Sequence, residues 1–165
     1  MKKKQHKTIG IVVLSLITSM SIARSTDRAL EVEVKAGRFL GEIDGVQQFT
    51  NGFNMTQGTL KIKAQNASIY RNSESGDIDR IELHGEPAFW QETLDNGSLM
   101  DATAKTMDYN LSQQTVLMSK DVVVNNGRDQ VSGDQVRYDL KSQKIDAGSD
   151  NGGQITFRIK PKKTP

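Results

Sequence analysis

The stretch that most constrains this chain runs from Gly58 to Gly85, GTLKIKAQNASIYRNSESGDIDRIELHG. Leu60, Ile62 and Ala64 alternate with polar residues, as do Ala67 and Ile69, and then Ile78, Ile81 and Leu83. Strand side chains point to opposite faces in turn, so each run has one apolar face and one wet one. The intervening Asn72 to Gly76 has the Asn/Ser/Gly chemistry of a turn. Such a meander has a single apolar face, which must be covered.

The unit recurs. A small residue with apolar neighbours two before, three after and five after it is found at Ala64 (Ile62, Ala67, Ile69), Ala104 (Ala102, Met107, Tyr109) and Gly133 (Val131, Val136, Tyr138). A weaker copy is centred on Ala36, with Val34 before it, Phe39 after it and Gly41 in last place. Alternating strands follow each copy: from Phe49, at Ile81–Leu83, at Val116–Met118 and at Ile145–Ala147. Repeats of this length indicate supersecondary units that bury their apolar faces only by stacking.

Residues 1–23 read as a secretory leader: Lys2, Lys3, Lys4 and Lys7 form a basic front, Ile9 to Ile17 is mostly apolar, and Ser21-Ile22-Ala23 offers a small-residue cleavage site. An uncleaved anchor is the alternative, although serines and a threonine dilute the apolar run and it falls short of the roughly 20 residues a spanning helix needs. Losing the four leader lysines takes 22 basic residues to 18 against 20 acidic, a net charge of −2. No whole-domain basic field for nucleic acid remains. A local basic cluster persists at Arg158, Lys160, Lys162 and Lys163, and residues 160–165 read as a disordered tail. Cysteine is absent, which excludes both a disulfide framework and a lipidated cysteine anchor.

One domain is expected over residues 24–159. With 35% hydrophobic residues and a mean hydropathy of −0.55, the chain suits a thin apolar interior between two wet faces better than a multilayer body. Leu30 to Ala36 is the expected first strand and Ile155 to Ile159 the last. Between them Asp44-Gly45, Asn51-Gly52, Asp95-Asn96-Gly97 and Asn125-Asn126-Gly127 are turn signals, and Glu86-Pro87 reads as a strand break. The expectation is all-β, with about 14–16 short antiparallel strands.

Catalytic signatures are missing. His84 is the single histidine after the leader and has no partners at metal-ligand spacing. There is no nucleophile elbow or phosphate-cradling loop, and neither cofactor nor metal is expected. Asp77 and Asp79, like Asp134, Asp139 and Asp146, read as turn and solvent-face residues, with glycoside chemistry as the rival. Trp90 reads as core or rim, with stacking on a ligand as the alternative.

Met55-Thr56-Gln57-Gly58-Thr59-Leu60-Lys61-Ile62-Lys63-Ala64 resembles the corresponding segment of the OstA-like family of periplasmic lipopolysaccharide-transport proteins. Gly85-Glu86-Pro87-Ala88-Phe89, Asp95-Asn96-Gly97 with Ala104, Met107 and Tyr109, the Val131–Tyr138 segment, and Lys144 with Ala147 follow in the family's order. Gly37-Arg38-Phe39 departs from it, replacing an Asp-rich turn. The resemblance implies a twisted β-jellyroll, open at both ends, that stacks head to tail. It also implies a non-enzymatic bridge between LptC at the inner membrane and LptD at the outer membrane, with lipopolysaccharide acyl chains riding inside.

Elementary energetics fit that expectation. An acyl chain of about a dozen methylenes costs on the order of 10 kcal/mol to expose, at ~0.8 kcal/mol per CH₂, so a carrier needs a continuous apolar lining. The inward-facing set expected to supply it begins with Val32, Val34, Phe49, Met55, Ile62 and Ile69. It continues with Leu83, Phe89, Met107, Met118, Val131 and Ile145. The methionines suit varied chains because they are flexible and polarizable. Leu30, Val32 and Val34 at one edge and Ile155, Phe157 and Ile159 at the other are the expected docking strands, since unpaired strand edges invite another strand. Rival readings are an LptC-like membrane-anchored component and a β-scaffold that binds no lipid.

Overall fold

The computed structural model describes residues 27–43, 45–148 and 152–161, so the leader and most of the basic tail lie outside the described residues. A 3-10 turn, Asp27–Ala29, precedes ten strands. These are β1 (Glu33–Gly41), β2 (Gln47–Gln57), β3 (Leu60–Ala64), β4 (Asn66–Arg71) and β5 (Ile78–Thr93), then β6 (Leu99–Asn110), β7 (Thr115–Asn125), β8 (Asp129–Asp139), β9 (Lys144–Gly148) and β10 (Thr156–Ile159). Every pairing is antiparallel, in the order β1-β2-β3-β5-β6-β7-β8-β10, with β4 continuing β3 between β2 and β5 and β9 pairing with β8. The all-β expectation holds.

The strands are fewer and longer than expected because breaks read from the sequence are bends within strands. The ladders shift register between Ala36 and Arg38, His84 and Ala88, Thr103 and Thr106, and Ser119 and Val122. Asn51-Gly52, expected as a turn, lies inside β2 with φ of 63° and 89°, and Glu86-Pro87 lies inside β5. At Gln65, β3 gives way to β4; its N–H donates to the His84 carbonyl, and its own carbonyl accepts from Gly52 N–H. A bulge bends its strand and sharpens the local twist. These irregularities fall side by side, so the sheet bends along one line into two leaves.

Trp90 shows that the leaves face each other. It pairs with Ala102 in the first leaf, yet its ring lies 5.1 Å, edge-on, from Tyr109, seven residues further along β6 in the second. Seven extended residues span roughly 23 Å, so the strand must fold back for the rings to meet. The core between the leaves is continuous. The origins of the sequence repeat, Ala36, Ala64, Ala104 and Gly133, all stand at the fold line, where backbones crowd. A Cβ on Gly37 would lie 2.8 Å from the Asn51 carbonyl oxygen, and one on Gly85 would lie 2.7 Å from the Pro87 carbonyl carbon.

Hairpin turns hold where expected. Asn72 Oδ1 accepts from the amides of Glu74 and Ser75, Asn96 Oδ1 from Ser98, and Asn126 Oδ1 from Arg128 and Asp129. The first strand begins later than expected. Leu30 is outside β1, in a segment tied to the β2–β3 turn, where Gln57 Nε2 donates to the Leu30 carbonyl (3.0 Å) and Asp27 Oδ2 accepts from the Thr59 amide and hydroxyl. Val32 immediately precedes β1, and Ile155 immediately precedes β10. These side-chain bonds to the neighbouring turn hold the chain off the β2 ladder until Glu33.

Candidate functional site

Two inward rows cross the sheet from edge to edge. In the first leaf, Val34, Met55, Ile62, Trp90, Ala102, Val124, Val131 and Phe157 are successive cross-strand partners. In the second, the row is Phe39, Phe49, Ala67, Leu83, Met107, Met118, Val136 and Ala147. Each residue is apolar. Cross-strand neighbours pack directly, so each row is a continuous strip of hydrocarbon.

Of the residues expected to line the interior, Met55, Ile62, Ile69, Leu83, Met107, Met118 and Val131 are buried. Val32, Val34, Phe49 and Ile145 are half-buried and packed against the same core. Phe89 is different. The bulge between His84 and Ala88 reverses the parity of β5, so Ala88 and Trp90 turn inward and Phe89 lies on the outer face, opposite Lys63 and Thr103. Sequence reasoning also left Phe53, Tyr109 and Tyr138 out of the lining, although all three are fully buried in it. Tyr109 and Tyr138 occupy the last place of two repeat copies, a signal that could have found them.

The slot is closed in the middle and open at the edges. Phe39 is 48% exposed at the β1 edge and Phe157 55% at the β10 edge, although both belong to inward rows. Between the leaves at the β9–β10 edge lies a cavity of about 260 Å³, lined by Val124, Val131 and Phe157 from the first leaf and Ile145 and Ala147 from the second, with Ile155, Asn126 and Asp129 at its rim. Ligand pockets for drug-sized molecules run from ~300 Å³ upward, so this mouth falls just short of that size. The buried polar side chains Gln47, Gln57 and Glu92 stand near the ends of strands, away from the rows. Gln47 Nε2 donates to the Ile43 carbonyl at 2.7 Å.

The outer faces are polar and knitted by ion pairs. Arg80 bonds both Asp108 and Glu82 and lies over the Tyr70 ring, and the hydrogen bond to Asp108 pushes its guanidinium pKa still higher. Near the fold line, the hydrogen bond to Asp121 raises the Lys105 pKa. Asp139 is a turn residue: its carboxylate accepts from the Ser142 amide and hydroxyl, which lowers its pKa. Among the described residues no cluster of three or more His, Cys, Asp or Glu side chains could hold a metal. His84 is exposed on the outer face. None of these groups sits in the slot.

A bent antiparallel sheet with an apolar interior and two unpaired edges defines a twisted, open-ended β-jellyroll. The chain belongs to the family described as LptA/(LptD N-terminal domain) LPS transport protein, whose model matches residues 42–144. It is 28% identical to lipopolysaccharide export system protein LptA of Escherichia coli K12, over 98% of this chain and 90% of that one. It is 26% identical to lipopolysaccharide export system protein LptH of Pseudomonas aeruginosa, over 86% and 82%. The crystal structure of LptH, described as the LptA homologous periplasmic component of a lipopolysaccharide transport device, superposes with a TM-score of 0.75. That match is 21% identical and covers 82% of this chain and 99% of that one.

Proposed function

We propose that this chain is a non-enzymatic carrier in the periplasm. In this reading it shields the acyl chains of lipopolysaccharide in its slot and passes them from the inner membrane towards the outer membrane. The observation that carries it is the pair of uninterrupted apolar rows, one ending exposed at the β1 edge in Phe39 and the other at the β10 edge in Phe157. A protein that merely filled its own core would seal those ends; a conduit leaves them open for the next link. The four buried methionines, Met55, Met100, Met107 and Met118, provide a lining that re-packs around chains of different length. Family membership supports lipopolysaccharide as the cargo.

The same reading makes LptC and LptD the partners at the two membranes, with further copies stacked head to tail between them. Residues 1–23 would be removed after export, leaving an N-terminus near Arg24. Edge strands β1 and β10 would dock, with Val32, Val34, Phe157 and Ile159 at the contact. Leu30 contributes by holding the entry to β1, and Ile155 by flanking β10.

Photo-crosslinking residues at Met107 and Met118, paired neighbours deep in the second-leaf row, test the carrier role in cells. Adducts with lipopolysaccharide are expected; their absence would leave the chain a scaffold that binds no lipid. Val34→Pro tests docking: partner capture is expected to fail while the circular dichroism of the monomer is unchanged, and unaffected capture would remove β1 from the interface.

A further inference from the structure

The outward rows of the first leaf carry unlike charges at their two ends. One runs Glu33, Thr56, Lys61, Gln91, Asp101, Asn125, Gln130 and Arg158, each the cross-strand partner of the next. It starts on a carboxylate at the β1 edge and finishes on a guanidinium at the β10 edge. The flanking residues repeat the pattern, with Glu31 before β1 and Lys160 after β10. At the other end of the edges, Glu42 follows β1 and Lys144 opens β9. All six side chains are exposed. Among the described residues, Arg158, Lys160 and Lys144 have no ion pair, and Glu33 has only a solvent-exposed one to Lys35 at 3.0 Å, which gives up little on rearrangement.

We propose that a second copy of this chain docks its β1 antiparallel to β9 and β10 in one register, set by the β1 bulge at the crease together with these charges. The proposal rests on the head-to-tail reading above and specifies how the links meet. Continuing the first-leaf row sets Val34 against Phe157, and strand geometry then puts Glu33 on Arg158, Val32 on Ile159 and Glu31 on Lys160. Continuing the second-leaf row sets Phe39 against Ala147, which puts Gly41 on Ile145 and Glu42 on Lys144. Two residues of β1, Ala36 and Gly37, then separate the two halves of the contact. β8 likewise leaves Gly133 and Asp134 between its pairings with β10 and β9. The copy therefore offers the β9–β10 edge the same two-residue step that β8 presents on the other side. Large residues meet small ones in the second leaf, Phe39 on Ala147 and Ile145 on Gly41, and the exposed rings of Phe39 and Phe157 are covered.

Sliding β1 by two residues either way carries its Ala36–Arg38 bulge off the crease, although Val34 on Ile155 would still set Glu31 on Arg158. Sliding β1 so that Val34 meets Ile159 sets Lys35 against Arg158, and like charges directly opposite are destabilising. A two-fold contact between two β1 strands would run the leaves of the two copies in opposite directions and interrupt the slot. An anionic headgroup is the rival occupant of the outer-face groove of about 710 Å³ lined by Arg128, Arg158 and Lys160. However, Asp101 and Asp129 line the same groove.

Charge reversal tests the register. A Glu31→Lys, Glu33→Lys variant and an Arg158→Glu, Lys160→Glu variant are each expected to self-associate roughly tenfold or more weakly than the parent in sedimentation at low salt, because each now sets like charges opposite one another. Mixed one to one, they are expected to regain association, since each carries the complement of the other; a misfolded variant could not be rescued in this way. Either variant assembling alone as well as the parent would overturn the register and leave stacking intact. If the Arg158/Lys160 variant keeps self-association but loses binding to lipopolysaccharide vesicles, the cations serve a headgroup and the proposal fails. A parent chain that crosslinks lipopolysaccharide yet stays monomeric at every concentration would instead overturn stacking itself. Because the chain has no cysteine, Glu33→Cys with Arg158→Cys provides a second readout. Disulfide-linked multimers are expected from that pair and not from Lys35→Cys with Arg158→Cys; the reverse result refutes the register.

Discussion

Trp90 offers the sharpest test of the slot, because two of its properties act in opposite directions. It is fully buried and meets Tyr109 edge-on across the gap between the leaves, yet its indole Nε1–H has no hydrogen-bond partner among the described residues. Trp90→Ala removes the ring and leaves a cavity, a change that costs about 3–5 kcal/mol in packed cores. That is a large part of the about 5–15 kcal/mol that holds a domain folded. Trp90→Phe keeps an aromatic edge for Tyr109 and loses only a few buried carbons, about 1–3 kcal/mol. It also abolishes the orphan donor, whose burial costs about 1–3 kcal/mol. The two contributions nearly cancel, so the Phe variant is expected within about 1 kcal/mol of the parent and the Ala variant several kcal/mol below it. Urea denaturation followed by far-UV circular dichroism measures both, since Trp90 is the single tryptophan and neither variant has the fluorophore. A Phe variant as unstable as the Ala variant would mean that the indole N–H is satisfied in solution and that the interior is wetter or differently packed than described.

Other perturbations bear on separate parts of the molecule. Gly85→Val sets a branched side chain against the backbone of Pro87 and Ala88 at the fold line; a loss of about 1–3 kcal/mol or more is expected in the same denaturation assay. Asp27→Ala removes both bonds to Thr59, and is expected to raise amide exchange over residues 27–32 while leaving the β5–β8 core protected. For Asp139, hydrogen bonds from Ser142 hold the folded carboxyl below its ordinary pKa. Its contribution to stability is therefore present above the unfolded pKa and lost as pH falls through the folded one. NMR titration is expected to show a depressed midpoint that moves up in Ser142→Ala; an unmoved midpoint would remove Ser142 as the cause.

The fold class was legible because alternation of apolar and polar residues is a local property. The two leaves were half-legible. The spacing that defines the repeat, a small residue with apolar partners at −2, +3 and +5, is the footprint of a bulge that reverses strand parity. β5 carries the same spacing at Gly85, with Leu83, Ala88 and Trp90, but Pro87 reads as a strand break and conceals it. Missing that copy put Phe89 in the lining and left Trp90 read only as core or rim. The strand count failed for the same reason, since a bulge and a loop leave similar marks when only the chain is visible. Leu30 alternates like the residues after it; what keeps it out of β1 is the hydrogen bonding of Asp27 and Gln57 with the segment, a contact between separated parts of the chain that no local pattern announces. Of the edge strands, β1 and β10 match the first and last alternations, whereas β9, which shares the C-terminal edge with β10, carries no mark of an edge in its sequence.

The two rims differ in how firmly they are bound. At one, a single strand, β1, runs from leaf to leaf with only a bulge at Gly37; at the other, β9 and β10 each belong to one leaf, and residues 149–155 lie between them. Prying the leaves apart at the first rim must distort a continuous ribbon, whereas at the second no outermost strand spans the crease. If the slot carries a guest, the C-terminal rim is therefore the one expected to part for it, and opening would start or finish there.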